Sequence, residues 1–198
     1  MTSTNPAEDL AFIRKIMDES RSFAEVGGMH FVNWGSVTGF GMFATWGIAA
    51  GHLPGNGRVI WGLWVAALAA GFALAYLQGR KERSAPVRHA VNRQIGAVWF
   101  AATMPMLLLF FVGQSFELIP PRAIPSIAAA LLGTGIYLTG TLAKIGWLRN
   151  LAFAWWVASI GLMLVRGASV FLMYGLLIFA LYVVPGFKLN QMVKRAGA

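Results

Sequence analysis

Polar and apolar positions divide this chain into one short periodic segment and six long apolar runs. Residues 1–28 are polar. Within them Leu10, Ile13, Met17 and, less strictly, Ile16 recur at helical spacing, with Asp9, Lys15, Asp18 and Glu19 mostly opposite. Asn5 suits an N-cap, Pro6 the first helical position, and Glu8 the closing residue of a capping box. The pattern predicts an amphipathic helix that ends before Gly27-Gly28. The segment is acidic and lacks an apolar core, so it does not read as a signal peptide.

The six runs are residues 29–51, 59–78, 95–114, 124–143, 148–165 and 168–187. Each comes near the roughly 20 residues with which an α-helix crosses about 30 Å of hydrocarbon. None carries Lys, Arg, Asp or Glu in its interior. A strand or loop facing lipid would leave its amides unpaired, so the runs must be helices. The expected fold is therefore all-α: a polytopic membrane protein of six transmembrane helices (residues 29–187). A cytoplasmic amphipathic helix (1–28) precedes them and a short basic tail (188–198) follows. Arg166-Gly167 leaves little chain between the last two runs, which predicts a tight antiparallel hairpin.

Positive charge orients the spans. Arg14, Lys15 and Arg21, then Arg80, Lys81, Arg83, Arg88 and Arg93, then Lys144 and Arg149, and finally Lys188, Lys194 and Arg195 share one side. Only Arg58, Arg122 and Arg166 fall on the other. Basic connections resist translocation, which places both termini in the cytoplasm. Trp46, Trp61 and Trp64 fall near the outer interface and Trp34, Trp99 and Trp147 near the inner one. Trp155 and Trp156 do not follow this pattern, because they lie well inside the fifth run.

Composition agrees with a membrane solvent. Of the 198 residues, 58% are hydrophobic and 12% charged, against about a quarter charged in an average soluble chain. A formal charge of +9 could suggest nucleic acid. Its confinement to short connections fits topology better, and no nucleic-acid partner is expected. Cysteine is absent, which removes disulfides and thiolate chemistry.

Small residues offer close helix approach. Gly35 and Gly39 share a face of the first span, and Ala67, Gly71 and Ala75 a face of the second. Pro105 stands mid-span in the third helix, where it should kink the backbone. Packing within one subunit is the simpler use of these sites, with a homo-oligomer as the alternative.

Residues that could carry chemistry are few. The carboxylates Glu8, Asp9, Asp18, Glu19, Glu25, Glu82 and Glu117 all lie outside the runs. Proton-coupled carriers place an ionisable group at membrane depth, so their absence there argues against such transport. It also argues against paired-aspartate proteolysis and carboxylate-bridged metals. His30 and His52 fall at opposite ends of the first run. His30 and His89 could approach one face, which makes a shared haem site conceivable; interfacial histidines are the plainer reading. No catalytic residue, cofactor or metal site is expected. The loop 79–94, with Arg80, Lys81, Arg83, Arg88 and Arg93, should touch anionic lipid at the cytoplasmic face. Residues 6–26, mixed in charge, suit docking on a protein partner or a second copy better than on an anionic surface.

The stretch Glu8-Asp9-Leu10-Ala11-Phe12-Ile13-Arg14, with Met17, Phe23 and Val26-Gly27-Gly28, resembles the start of small uncharacterised bacterial integral membrane proteins. These carry a short F-I-R-x-x-M-E type helix before several spans; Asp18 stands here where Glu is usual. The resemblance implies a bacterial inner membrane and no activity.

Three roles remain open from sequence alone. One is a non-enzymatic membrane subunit or sensor coupling through its amphipathic helix and basic loop. Another is a small channel or facilitator for a neutral or hydrophobic solute, lined by Thr38, Thr45, Thr103, Thr134, Thr139, Thr141 and Ser159. The third is a membrane enzyme or haem protein using His30 and His89.

Overall fold

A computed structural model describes residues 27–82 and 90–196. The expected amphipathic helix lies outside these residues, as does the middle of the basic loop, residues 83–89. Every regular element among the described residues is helical. In chain order they are α1 (Gly28–Ala49), α2 (Gly57–Glu82), α3 (Ala90–Ser115), a 3₁₀ turn (Pro121–Ala123), α4 (Ile124–Leu142), α5 (Gly146–Leu164) and α6 (Ser169–Ile178). A π-helical turn (Phe179–Val183) then leads into α7 (Val184–Ala196) without a break. Helical order thus continues through Ala196, past the expected end of the sixth run.

Five helical segments are long and apolar enough to cross a membrane: 57–78, 93–115, 121–142, 146–164 and 169–195. Helix α1 has the length, about 33 Å at 1.5 Å per residue. It is less apolar, because His30, Asn33, Ser36, Thr38 and Thr45 lie along it. It can carry them because it is enclosed by the bundle, packed on α2, α6, the π turn and α7.

Glycine sets these close approaches, since a missing Cβ lets backbones and rings meet. Along α1, Gly28 faces the backbone of Gly186, Gly35 faces Val183 and Tyr182, and Gly39 faces the Phe179 ring. Gly175 on α6 receives the Phe43 ring in return. Helices α4 and α5 form the most extensive pair. There Gly140 lies directly against the backbone of Arg149, and Gly133 lies under Trp156. The expected hairpin between the last two helices does not form as a packed pair. Although only residues 165–168 separate them, α5 lies along α4 and touches α6 little. The reason is steric: the Gly133 and Gly140 face admits α5 closely, and nothing comparable faces α6.

The π turn has a local cause. Pro185 lacks the N–H that would close a bond to the Leu181 carbonyl, and its ring crowds that carbonyl. The helix widens there, with Val184 N–H bonding back to the Phe179 carbonyl. The freed Leu181 carbonyl is taken by the indole N–H of Trp155 at 3.2 Å. This explains a Trp in mid-helix: Trp155 is fully buried as a hydrogen-bond donor, not placed as an interface anchor.

Candidate functional site

Antiparallel neighbours fix the levels of the bundle. Trp34 of α1 sits over Gly71 of α2, and Trp64 of α2 donates its indole N–H to Thr45 Oγ1 of α1 at 3.1 Å. One end of the bundle therefore holds His30 and Gln78, and the other holds Met42 and Trp64. Helix α3 runs parallel to α1, with Trp99 edge-on to Phe31 at 5.6 Å.

Between α1, α2, α3, α4 and α6 lies a cavity of about 630 Å³. That falls within the roughly 300–1,000 Å³ of small-molecule sites. Its walls are aromatic and aliphatic: Trp34 and Met42 from α1, Trp64, Leu68 and Phe72 from α2, and Trp99, Phe100, Met106 and Phe110 from α3. Ala128 and Leu132 of α4 form the floor, with Tyr174, Ile178 and Tyr182 of the last helix. Rings order one another around it. Phe31 stacks on Tyr182 at 4.6 Å, Trp99 meets Tyr182 edge-on at 5.9 Å, and Trp34 meets Phe72 edge-on at 5.0 Å. Among the described lining residues there is no Lys, Arg, Asp or Glu.

The cavity is open on one side. Helix α2 packs on α1 and helix α3 on α4, while α2 and α3 meet mainly through a ring cluster at the Trp64 end. That cluster joins Trp61 to Phe110 and Phe111, at 5.7 and 5.3 Å, and Trp64 to Phe110 at 5.5 Å. Toward the His30 end the two helices part. Phe72 and Phe100 line the cavity there yet are 53% and 66% exposed. Gly96 also lines this mouth, with no neighbouring atom within 4 Å of where a Cβ would stand.

The sequence-derived residues distribute unevenly around the site. His30, Gly35 and Ala75 line the cavity, Gly71 receives Trp34, and Ala67 is half-buried on the same helix. Pro105 sits within α3 on its exposed face, turned away from the lining. Arg80 and Arg93 are exposed at the His30 end. Arg83, Arg88 and His89 lie outside the described residues, as does the Lys81 side chain, so the His30–His89 pairing does too. Among the described residues no group of three His, Asp or Glu could hold a metal.

Of the hydroxyls, Thr38 and Thr103 reach the cavity. Thr45 bonds to the Gly41 carbonyl, Thr134 to Ala130, Thr141 to Tyr137 and Ser159 to Ser126. Thr139 is fully buried with no partner for its hydroxyl. The set does not form a polar lane. What the sequence reading missed is the aromatic wall, because Trp34, Phe72, Trp99 and Phe110 look like any other apolar residue in a membrane run.

Comparison with known protein families, curated proteins and solved structures finds no match for this chain.

Proposed function

We propose that this protein is a membrane-embedded binding protein that takes a neutral, mostly apolar small molecule from the bilayer into the cavity between α2 and α3. In this reading α1 joins the five apolar segments as a sixth span, and both termini lie in the cytoplasm. The observation that carries the proposal is the side opening at Phe72, Gly96 and Phe100, which leads into an uncharged aromatic chamber. A mostly apolar chamber of this size is the usual form of a small-molecule site, and water gains little from these walls. A channel would need a second opening, and the rings of Trp61, Trp64, Phe110 and Phe111 close the far end. The sensor or carrier roles that could use such binding depend on residues 6–26 and the basic loop, which are mostly outside the described structure.

Anthracene, a rigid neutral hydrocarbon, tests the reading. It is titrated into protein-bearing and empty nanodiscs, and its Trp-sensitised emission is recorded. Saturable binding above the lipid background is expected, and Gly96→Trp or Ala75→Trp should weaken it at least about ten-fold by filling space. Emission that rises linearly in both nanodiscs, or is unchanged in both variants, rejects the proposal.

A further inference from the structure

Three tryptophans frame the cavity, and each is seated on a glycine of a neighbouring helix. Trp34 of α1 lies on Gly71 of α2, Trp64 of α2 on Gly41 of α1, and Trp99 of α3 on Gly135 of α4. A Cβ at those glycines would stand 2.7, 3.3 and 3.3 Å from the respective indoles. Trp64 is further tied by its bond to Thr45, Trp34 by its edge contact with Phe72, and Trp99 by Phe31 and Tyr182. Each indole is therefore positioned by protein contacts while it still borders the open space. Aromatic residues make up 13% of the chain, yet eight of the twenty-six residues lining the cavity are Trp, Phe or Tyr. Lipid as a solvent does not demand this, since aliphatic side chains would satisfy it equally.

Hydrogen-bonding groups occur along the whole chamber: His30 and Gln78 near the mouth, Thr38 and Thr103 at mid-height, and Tyr174 level with Met42. Polarity therefore selects no single orientation, and the walls decide the class of guest. The competing guest is the acyl chain of the surrounding lipid. Moving such a chain from the bilayer into the cavity gains little hydrophobic energy, and fixing it costs rotamer freedom. A flat ring is already rigid. It can meet the indoles by offset stacking or edge to face, each contact worth about two- to ten-fold in affinity beyond burial. We infer that the ligand is a flat, conjugated ring compound drawn from the bilayer, selected over acyl chains by the fixed indoles of Trp34, Trp64 and Trp99. The inference rests on the binding function proposed above and names the ligand class for that same cavity.

The experiment displaces radiolabelled anthracene from captured, protein-bearing nanodiscs. The competitors are phenanthrene, its saturated analogue perhydrophenanthrene, and tetradecane, which share one carbon number. At equal mole fraction in the bilayer, phenanthrene should displace anthracene at least about ten-fold better than tetradecane and about three-fold better than perhydrophenanthrene. In Trp34→Leu/Trp99→Leu the advantage over tetradecane should fall at least about three-fold. Phe153→Leu, which removes an outward-facing ring, should keep the advantage. Phenanthrene no better than tetradecane, or no better than perhydrophenanthrene, overturns the inference and leaves the binding function standing. So does an advantage that survives the double substitution. Absence of saturable anthracene binding in the unmodified protein instead removes the binding function itself. If the double variant fails to fold or loses anthracene binding, the half-exposed Phe72→Leu alone decides: a reduced advantage supports the inference and an undiminished one overturns it.

Discussion

The indole of Trp155 and the carbonyl of Leu181 form a hydrogen bond, 3.2 Å long, that joins α5 to the π turn of the last helix. It exists because Pro185 cannot supply the N–H that Leu181 would otherwise receive. Two residues distant in sequence thereby explain each other: a proline deep in an apolar helix, and a tryptophan away from any interface.

Trp155→Phe should lower stability by about 1 kcal/mol, since the carbonyl is left without a partner in an apolar setting. In a Pro185→Ala background the backbone N–H returns, and the same substitution should cost distinctly less. Thermal unfolding of the four proteins in detergent, treated as a double-mutant cycle, measures the coupling. Additive losses would mean that the bond and the proline are independent.

Gly140→Ala should be among the most damaging single-methyl changes in the chain. Its Cβ would meet the backbone of Arg149, which cannot rotate away, and forced overpacking of this kind typically costs about 1–3 kcal/mol. Gly161→Ala is the matched control, because nothing lies within 4 Å of its Cβ position. Size-exclusion thermostability should show a lower Tm for the first and no loss for the second.

Lys144→Gly should raise stability by about 1 kcal/mol, the usual order of strain for a side chain in left-handed backbone. Lys144 has φ 57° at the end of α4, where Ile145 N–H closes a bond to the Gly140 carbonyl at 2.8 Å. The equivalent residue after α1 is already glycine, Gly51 at φ 78°. An unchanged or lower Tm would show that the lysine side chain offsets the strain through contacts of its own.

The absence of cysteine makes a clean topology test. Thr4→Cys, Lys144→Cys and Gln191→Cys should react with an impermeant maleimide only from the cytoplasmic face. Asn56→Cys and Arg166→Cys should react only from the opposite face. If Thr4→Cys and Asn56→Cys label from the same side, α1 does not cross and the six-span reading fails.

The helices were legible in the sequence because lipid imposes one simple rule: an unbroken apolar run with its charges at the ends. The expected runs at 124–143 and 148–165 match Ile124–Leu142 and Gly146–Leu164 within two residues. The arrangement was not legible, for the same reason that the spans were. When both the lipid side and the inner side of a helix are apolar, Phe72 and Phe100 at a cavity mouth look the same as Phe153, which faces outward. The short link at Arg166-Gly167 suggested a packed hairpin, but partner choice followed the Gly133 and Gly140 face instead. Pro185 could have been noticed from sequence; its pairing with Trp155 needed three dimensions.

The separate anchoring of α2 on α1 and of α3 on α4 has a mechanical consequence. These two helices stand as outriggers on opposite flanks of a glycine-packed hub, touching chiefly at the ring cluster near Trp64 and Phe110. The gap at Phe72 and Phe100 is thus bounded by two helices that pack on different neighbours, apart from the close α4–α5 and α1–α6 contacts. The residues that shape the aperture are therefore spatially separate from the glycine contacts that hold the hub together.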